Sequence, residues 1–350
     1  MSQTMTAVQM YAPGDIRTEE VAVPTPGPGE VLMQVAACGV CGSDFDRMYV
    51  KGGHTLPLIC GHEFSAYVAS LGPGVDEVQV GDLVTVPPML PCRRCAPCTQ
   101  GHYSLCVDYD YYGSRRDGAY AEFVAGPAAP LVKVPEGLDP RAAAMVDPSA
   151  IALHGIWRSR LRAGDRVAVL GGGGPIGLFA VQWARIMGAA QIVAVDTSEA
   201  KAELARQAGA TTALADPGQL AEVAGDGFDV VVETSGVPAV ADQAVGAAGR
   251  HGDVVLIGIP NSAVQISDAN WARLMRLEIN IRGSWNSFSA PFPGAEWTTT
   301  LAKMASGDLA WEFMITHELG LDKVDDTISA MAARSIHSVK VMFLPELTGR

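Results

Sequence analysis

The chain has 350 residues, of which 48% are hydrophobic and 18% are charged, and it carries a formal net charge of -13 with a pI near 4.9. This length predicts two domains, and the acidic balance excludes a broad attraction to nucleic acid or to an anionic membrane. The start MSQTMTAVQM lacks the basic and apolar regions of a signal peptide, and no uninterrupted apolar run is long enough to predict a membrane span. We therefore expect a cytoplasmic protein that binds neither nucleic acid nor membrane.

The order of predicted elements divides the chain into three stretches. Residues 1–150 contain short β-rich segments separated by Pro and Gly, such as GEVLMQVAACGV and AYAEFVAGP, which predicts a β-rich domain resembling a barrel. In residues 151–288, apolar strands alternate with helices in RVAVLG, PIGLFAVQWARIMG, QIVAVD and FDVVVETSG, which predicts a doubly wound parallel sheet. Residues 289–350, which end in the strand VKVMFLP, are expected to return to the first domain. The predicted fold class is α/β.

All seven cysteines lie in the first third of the chain, and four of them form one run: Cys92, Cys95, Cys98 and Cys106. Two residues between neighbours allow one loop to turn its thiolates towards a single ion, and four sulfurs in tetrahedral geometry suit Zn²⁺. Two disulfides are the alternative, but reduced thiols are favoured in a chain without a secretion signal. The run predicts a closed, structural zinc site. Cys38 and Cys60 have no partner at metal spacing and are predicted to be core residues.

A second, open metal site is predicted upstream of that run. Cys41, His62 and Glu63 supply sulfur, nitrogen and oxygen from separate segments, as expected of a catalytic zinc that keeps one position for substrate. Ser43 and Asp44 follow at distances suited to a proton-relay hydroxyl and to a carboxylate that orients the imidazole. A buried structural histidine and a turn role for Asp44 are the alternatives. One closed site and one open site together indicate an enzyme.

A glycine loop lies between a predicted strand and a predicted helix, and it fits G-x-G-x-x-G through Gly172, Gly174, Pro175, Ile176 and Gly177. Such a loop holds a pyrophosphate on the N–H groups of a helix N-terminus. Asp196 ends the next strand, where a carboxylate accepts hydrogen bonds from an adenosine ribose; a helix cap is the alternative. Because this carboxylate repels a ribose phosphate and Thr197 and Ser198 are uncharged, NAD is predicted rather than NADP.

These motifs occur in one order: CGVCGSD, GHEFSAYVASLG, the four-cysteine run, GGGGPIG and Asp196. Over nearly the full chain they resemble the zinc-dependent medium-chain dehydrogenase/reductase family, and its polyol dehydrogenase branch in particular. The resemblance implies a groES-like catalytic domain, a Rossmann domain, NAD, two zinc ions per chain, and a homodimer or homotetramer paired through a sheet edge.

The resemblance also implies further site residues. A zinc carboxylate is expected at Asp147, where the branch usually has Glu; because Asp is one methylene shorter, direct contact, contact through water and no contact all stay open. His54 would extend a proton relay from Ser43 to solvent, and a merely exposed His54 is the alternative. Trp285, Asn286 and Trp297 are placed near the active-site cleft or a subunit contact, with core packing as the alternative for either Trp.

The expected substrate is a polyol. The segments GSRRDGAYAEFV, GSWNSFSAPFPGAEW and HSVKVMFLP are similar to those of branch members that act on a phosphorylated hexitol. Arg115 and Arg116 would bind the phosphate through their guanidinium groups, and a solvated or dimer-facing pair is the alternative. We expect the enzyme to oxidise a secondary hydroxyl to a ketone. An unphosphorylated polyol such as sorbitol, or a cyclitol, is the alternative substrate, and a non-catalytic NAD-binding protein is the alternative of another class.

Overall fold

A computed structural model of the chain describes residues 4–349. Residues 1–3 of the first predicted stretch and residue 350 of the last lie outside this range. The strands are β1 Thr4–Ala12, β2 Asp15–Ala22, β3 Glu30–Gly39, β4 Leu58–Ile59, β5 Glu63–Leu71, β6 Leu83–Thr85, β7 Met89–Leu90, β8 Asp110–Tyr111, β9 Phe123–Pro127, β10 Val132–Lys133, β11 Arg166–Leu170, β12 Gln191–Val195, β13 Thr212–Leu214, β14 Phe228–Glu233, β15 Ala248–Leu256, β16 Asn280–Gly283, β17 Ile315–Leu319 and β18 Lys340–Phe343.

The helices are shorter in the first part of the chain than in the second. They are α1 Gly42–Asp46, α2 Ala96–Thr99, α3 Pro140–Ala144, α4 Val146–Arg158, α5 Pro175–Ile186, α6 Glu199–Gln207, α7 Leu220–Ala224, α8 Pro238–Ala247, α9 Asp268–Arg276, α10 Ala295–Ala305 and α11 Val324–Ala332. Among residues 4–349, no helix is long and apolar enough to cross a membrane.

Two compact units account for the described chain. The first contains the chain up to Asp147, Phe288–Ser306, and the residues from Trp311 onward. The second contains Pro148–Ser287 and Gly307–Ala310. The C-terminal residues therefore belong to the same unit as the N-terminal ones.

The first unit is built from β-sheets. Its largest sheet has the order β10-β6-β5-β3-β18-β17, with β9 also paired to β3, and a smaller sheet has the order β2-β1-β4. Alternating residues of these strands point into one apolar core, as the period-two pattern predicts. Cys38 and Cys60 lie within this core, which confirms their predicted packing role.

The second unit is a parallel sheet with helices. Its six strands have the order β13-β12-β11-β14-β15-β16, and every neighbouring pair is parallel, which confirms the predicted parallel sheet. The central strands read as nearly continuous apolar runs because both of their faces are buried. The order reverses between β11 and β14, and in open α/β sheets ligands bind beyond the carboxyl ends of the strands at such a point.

Strand register in the first unit brings distant parts of the chain together. β3 and β5 are antiparallel, and Gly39 at the end of β3 lies opposite Glu63 at the start of β5. On the other side of β3, β18 places Met342 opposite the same Gly39. The segment that follows β3, the segment that precedes β5 and the start of β18 therefore meet at the same end of these three neighbouring strands.

Candidate metal centre and dinucleotide site

The residues of the predicted open metal site lie at the shared end of β3, β5 and β18. The ligand atoms of Cys41, His62 and Glu63 all lie within 4.8 Å of one another, and we call these three residues the open cluster. A thiolate, an imidazole and a carboxylate at this separation are the donor set of a zinc ion that keeps a free position. The residues present therefore fit a catalytic zinc.

Local chain geometry fixes Cys41. The residue is the N-cap of helix α1, and the Asp44 carboxylate accepts a hydrogen bond from its backbone N–H at 3.0 Å, as in a capping box. The hydroxyl of Ser43 donates to Cys41 Sγ at 3.4 Å. The spacing C-x-S-D thus sets the direction of the sulfur through the first turn of a helix.

Asp44 also faces the imidazole. It is fully buried, its Oδ1 lies 3.5 Å from His62 Nδ1, and its Oδ2 accepts a hydrogen bond from the Tyr120 hydroxyl at 2.8 Å. Burial alone would raise the pKa of Asp44, but His62 and Arg47 hold the pKa below its usual value. Burial likewise opposes a charged His62, yet Asp44 and Cys41 raise its pKa well above its usual value. The electrostatic field at this position favours a cation.

Asp147 lies close to the open cluster without joining it. Its carboxyl is buried and does not belong to the group of donor atoms within 4.8 Å. Burial, and next the negative charge of Glu63, raise the pKa of Asp147 to about 7. The missing methylene relative to Glu is consistent with this position outside the cluster.

The structure does not connect Ser43 with His54. The His54 ring lies on an exposed loop, with its Nδ1 3.3 Å from the Ser114 hydroxyl, whereas the Ser43 hydroxyl contacts Cys41. Within residues 4–349 no hydrogen bond joins these two side chains, so the relay stays a prediction.

The four predicted structural ligands form a second group of donors within 4.8 Å: Cys92, Cys95, Cys98 and Cys106. All seven cysteines are free thiols. The sulfurs of Cys95 and Cys106 are 3.9 Å apart, and backbone N–H groups of Val107 and Cys98 lower the pKa of Cys95 to about 6. Four sulfurs at this separation, one of them favoured as a thiolate, fit a closed zinc site.

The glycine loop has the shape expected of a dinucleotide loop. Gly174 is the N-cap of α5 and Pro175 occupies the first turn, which leaves the helix N-terminus open to an anion. A Cβ at Gly177 would fall onto the Gly171 carbonyl oxygen and lie 2.8 Å from Gly172 Cα, so only glycine allows this packing of helix on strand. A Cβ at Gly174 would meet no atom closer than 3.6 Å. Ile176 continues the first turn of the same helix.

Asp196 is linked to the glycine loop. Its Oδ2 accepts a hydrogen bond from the Gly173 N–H at 2.9 Å, and its Oδ1 accepts one from the Thr197 N–H at 2.8 Å. The N-cap of α6 is Ser198, so Asp196 is not the cap of that helix. Lys201 Nζ lies 3.4 Å from Asp196 Oδ1. Sequence reasoning missed this lysine, although a lysine in the first turn of α6, five positions after the predicted ribose-binding carboxylate, is a usable signal.

The two candidate substrate arginines have different surroundings. Arg116 forms ion pairs with Glu30 at 3.3 Å and Asp110 at 3.4 Å, and its guanidinium lies over the Tyr112 ring. Arg115 is exposed, stacks over Tyr109 at 4.5 Å and forms no ion pair within the described chain. The structure therefore ties Arg116 to carboxylates of the protein and leaves Arg115 available.

Arg115 lines a cavity of about 440 Å³ together with His54, Thr55, Arg94 and Tyr109. Tyr109 packs edge-on against Tyr111, which packs edge-on against His62 with ring centroids 5.6 Å apart. The cavity is thus two ring contacts away from the open cluster. Tyr111 was another residue that the sequence did not single out, because its place beside His62 depends on the fold.

The remaining predicted residues lie in two different units. Trp297 is fully buried in the first unit and stacks on Phe288, which supports the core-packing alternative. Trp285 and Asn286 belong to the second unit; Trp285 is 46% exposed, and Asn286 has a φ of 54°.

Lys340 is the least expected neighbour of the open cluster. It is 1% exposed, and its Nζ contacts the Glu63 carboxylate and donates to the Val40 carbonyl oxygen at 3.0 Å. The sequence signal was a lone lysine in the otherwise apolar strand VKVMF.

Comparison with known proteins agrees with this geometry. Residues 27–136 match the alcohol dehydrogenase GroES-like domain, and residues 175–306 match the zinc-binding dehydrogenase domain. The chain is 32% identical to galactitol 1-phosphate 5-dehydrogenase of Escherichia coli K12, an alignment that covers 95% of this chain and 97% of the relative. The chain belongs to the zinc-dependent medium-chain dehydrogenase family.

Two further relatives bear on specificity. Sorbitol dehydrogenase of Bacillus subtilis is 30% identical, with 98% of each chain covered. The crystal structure of a zinc-binding dehydrogenase from Sinorhizobium meliloti, bound to NADP, superimposes with a TM-score of 0.90 at 33% identity and covers 98% of this chain and 100% of that one. The present chain is therefore an oxidoreductase. Its predicted fold class, a groES-like domain with a Rossmann domain, is confirmed.

Exchange of Gly177 for alanine tests the packing of the loop. We expect Gly177→Ala to lower the free energy of unfolding by about 1–3 kcal/mol, because the new Cβ overlaps backbone. The matched variant Gly174→Ala is expected to keep the stability of the parent, since its Cβ has room. It should weaken dinucleotide binding, because the backbone at this glycine approaches the pyrophosphate. Thermal unfolding and dinucleotide titration measure the two effects; equal stability losses would contradict this account of the loop.

Loss of one sulfur tests the closed site. We expect Cys98→Ser to bind about one zinc ion fewer per chain than the parent and to unfold at lower temperature, because a structural zinc contributes folding energy. Cys60→Ala is the control, since burial raises the pKa of this core thiol to about 12 and it lies outside both donor groups. Elemental analysis counts the zinc, and an unchanged count in Cys98→Ser would exclude this ligand.

Proposed function

We propose that this enzyme oxidises a secondary hydroxyl of a phosphorylated polyol to a ketone, with NAD as hydride acceptor and with one catalytic and one structural zinc ion per chain. The open cluster carries this proposal, because a mixed sulfur, nitrogen and oxygen donor set leaves a position for a substrate hydroxyl. The alternative of a non-catalytic NAD-binding protein gains no support, because the three donors of the open cluster are present and converge.

Side chains of the first unit would hold the catalytic zinc and supply a hydroxyl beside it. Zinc bound there supplies Lewis acidity that lowers the pKa of an alcohol. Cys41, His62 and Glu63 bind the ion, and Asp44 holds the imidazole in one orientation. Ser43, which contacts the Cys41 sulfur, offers a hydroxyl beside the ion for transfer of the substrate proton.

The preference for NAD rests on Asp196. Its carboxylate is fixed beside the glycine loop by N–H groups of Gly173 and Thr197, and a fixed negative charge there repels a ribose phosphate. Lys201 pairs with one oxygen of the carboxylate, and its positive charge offsets part of this repulsion. The relative from S. meliloti was crystallised with NADP, so the choice of coenzyme is a property to be measured on this chain.

Recognition of a substrate phosphate rests on Arg115. An unpaired guanidinium in a cavity two ring contacts from the open cluster suits a phosphate at the far end of a six-carbon chain. The relative from E. coli is named for galactitol 1-phosphate, which has this form. The relative named for sorbitol keeps an unphosphorylated polyol as the second candidate.

We also propose that two copies pair through the second unit. β16 is the last strand of the six-stranded sheet, and its outer edge has no partner strand within the described chain. Ile281 on this strand is 43% exposed, an apolar side chain on an open edge. Pairing of two such edges would satisfy the backbone groups and cover the apolar side chain.

Substrate comparison tests the reaction and the phosphate site together. We expect NADH formation with galactitol 1-phosphate at a kcat/KM at least tenfold above those for galactitol, sorbitol and an inositol. Arg115→Ala should raise KM for the phosphorylated substrate more than tenfold and leave KM for free polyols unchanged, because a charged hydrogen bond to phosphate is lost.

The matched control is Arg93→Ala, which removes an exposed arginine of the four-cysteine segment that does not line the cavity. Activity on free polyols alone would reject the phosphate proposal and keep the dehydrogenase mechanism. Equal effects of the two arginine variants would assign the loss to general charge rather than to a phosphate site.

Exchange of Asp196 for asparagine tests coenzyme choice. We expect Asp196→Asn to weaken NAD binding about tenfold and to strengthen NADP binding, because the repelling charge disappears while an oxygen remains for the Gly173 N–H. Glu199→Gln is the control, since that carboxylate is exposed on α6. Equilibrium titration with both coenzymes gives the ratio, and a parent protein that prefers NADP would refute the NAD assignment.

A further inference from the structure

The contact between Lys340 and Glu63 is unusual because both groups are charged and buried. Lys340 is 1% exposed and Glu63 is 3% exposed. Removing two such ions from water costs several kcal/mol each, which only a close partner and further hydrogen bonds offset. Lys340 has both, since its ammonium contacts Glu63 Oε2 and donates to the Val40 carbonyl oxygen.

The backbone makes room for this ammonium at one position. A Cβ on Gly39 would fall against Lys340 Cε and lie 2.7 Å from Nζ and 3.2 Å from Glu63 Oε2. Gly39 is paired with both Glu63 on β5 and Met342 on β18, so it lies between the two charged residues. The φ of Gly39 is not among the positive values, so its backbone accepts other residues and glycine is required for space.

The charges around the open cluster show what the ammonium does. Three buried carboxyl groups, Asp44, Glu63 and Asp147, belong to or lie beside this site, and two cationic side chains contact them: Arg47 lies 3.6 Å from Asp44 Oδ1, and Lys340 contacts Glu63. Without Lys340 the Glu63 carboxylate would have no cation to pair with except the metal.

We propose that Lys340 is a positioning residue of the metal site: its ammonium holds one oxygen of Glu63 and thereby limits the hold of this carboxylate on the metal, so that one position stays open for the substrate hydroxyl. This inference rests on the proposed function. It assigns a role to the C-terminal strand β18, which reaches the site 277 residues after Glu63.

Metal binding tests the inference without an activity assay. We expect the open site of Lys340→Met to bind zinc at least tenfold more tightly than the parent in competition with a chelator, because Glu63 is released to the metal. In the absence of substrate, the visible absorption spectrum of Co²⁺-loaded Lys340→Met should differ from that of the Co²⁺-loaded parent. Turnover should fall at least tenfold, since the carboxylate then competes with the hydroxyl.

Two further variants separate position from mere packing. Lys340→Arg keeps the cation and is expected to restore the parent's zinc affinity to within about threefold. Gly39→Ala keeps the lysine but displaces its ammonium from Glu63, and it should shift zinc affinity and the Co²⁺ spectrum in the same direction as Lys340→Met. Gly39→Ala also carries the test if Lys340→Met does not fold.

Each result decides a defined question. Unchanged or weaker zinc binding with an unchanged Co²⁺ spectrum, in a folded Lys340→Met or in Gly39→Ala, would overturn the inference and leave the proposed function intact. A lysine with only a structural role would lower the stability of the metal-free and zinc-loaded forms equally and produce that result. A parent protein that binds zinc only at the four cysteines would refute the proposed function itself, and with it this role of Lys340.

Discussion

The burial of three carboxyl groups close together in the first unit is the constraint on which the geometry of the open cluster depends. Asp44, Glu63 and Asp147 are each less than 5% exposed, and the Cys41 sulfur lies among them. Carboxylates in such a place are stable only when cations and hydrogen-bond donors surround them. The backbone N–H of Cys41 and the Tyr120 hydroxyl supply donors to Asp44, and a divalent cation is the remaining group that the cluster calls for.

The two groups of candidate metal ligands are assembled in different ways. The four-cysteine site is local, since Cys92 and Cys106 are 14 positions apart and the Cys92 N–H donates to the Cys106 sulfur. The open cluster is assembled where β3 ends and β5 begins, from Cys41 on one segment and His62 and Glu63 on the other. A local loop suits an ion that only has to stay bound, whereas a cluster set by strand register fixes donors in a rigid sheet and can keep one position free.

Sequence reasoning succeeded wherever the informative contacts are local. The glycine loop, the four-cysteine group and the alternation of strand and helix each depend on spacing within a short stretch of chain, and the structure brings the four sulfurs together. It missed Lys340 because a lysine in an apolar strand gives no sign of the carboxylate opposite, which is 277 positions away. The same limit applies to Arg116, whose partner Glu30 lies on another strand.

One carboxylate of the second unit, that of Asp196, links two parts of the proposed coenzyme site. Both oxygens of Asp196 already accept backbone N–H groups, from Gly173 within the glycine loop and from Thr197. The carboxylate that we propose binds the ribose therefore also fixes the glycine loop that we propose binds the pyrophosphate. In the proposed coenzyme site, a change at this position is expected to affect loop order and coenzyme choice together, and a variant designed to accept NADP has to keep the acceptor for the Gly173 N–H while removing the charge. The two residues meet because β11 and β12, the first two strands of this unit along the chain, are parallel neighbours whose carboxyl ends lie side by side.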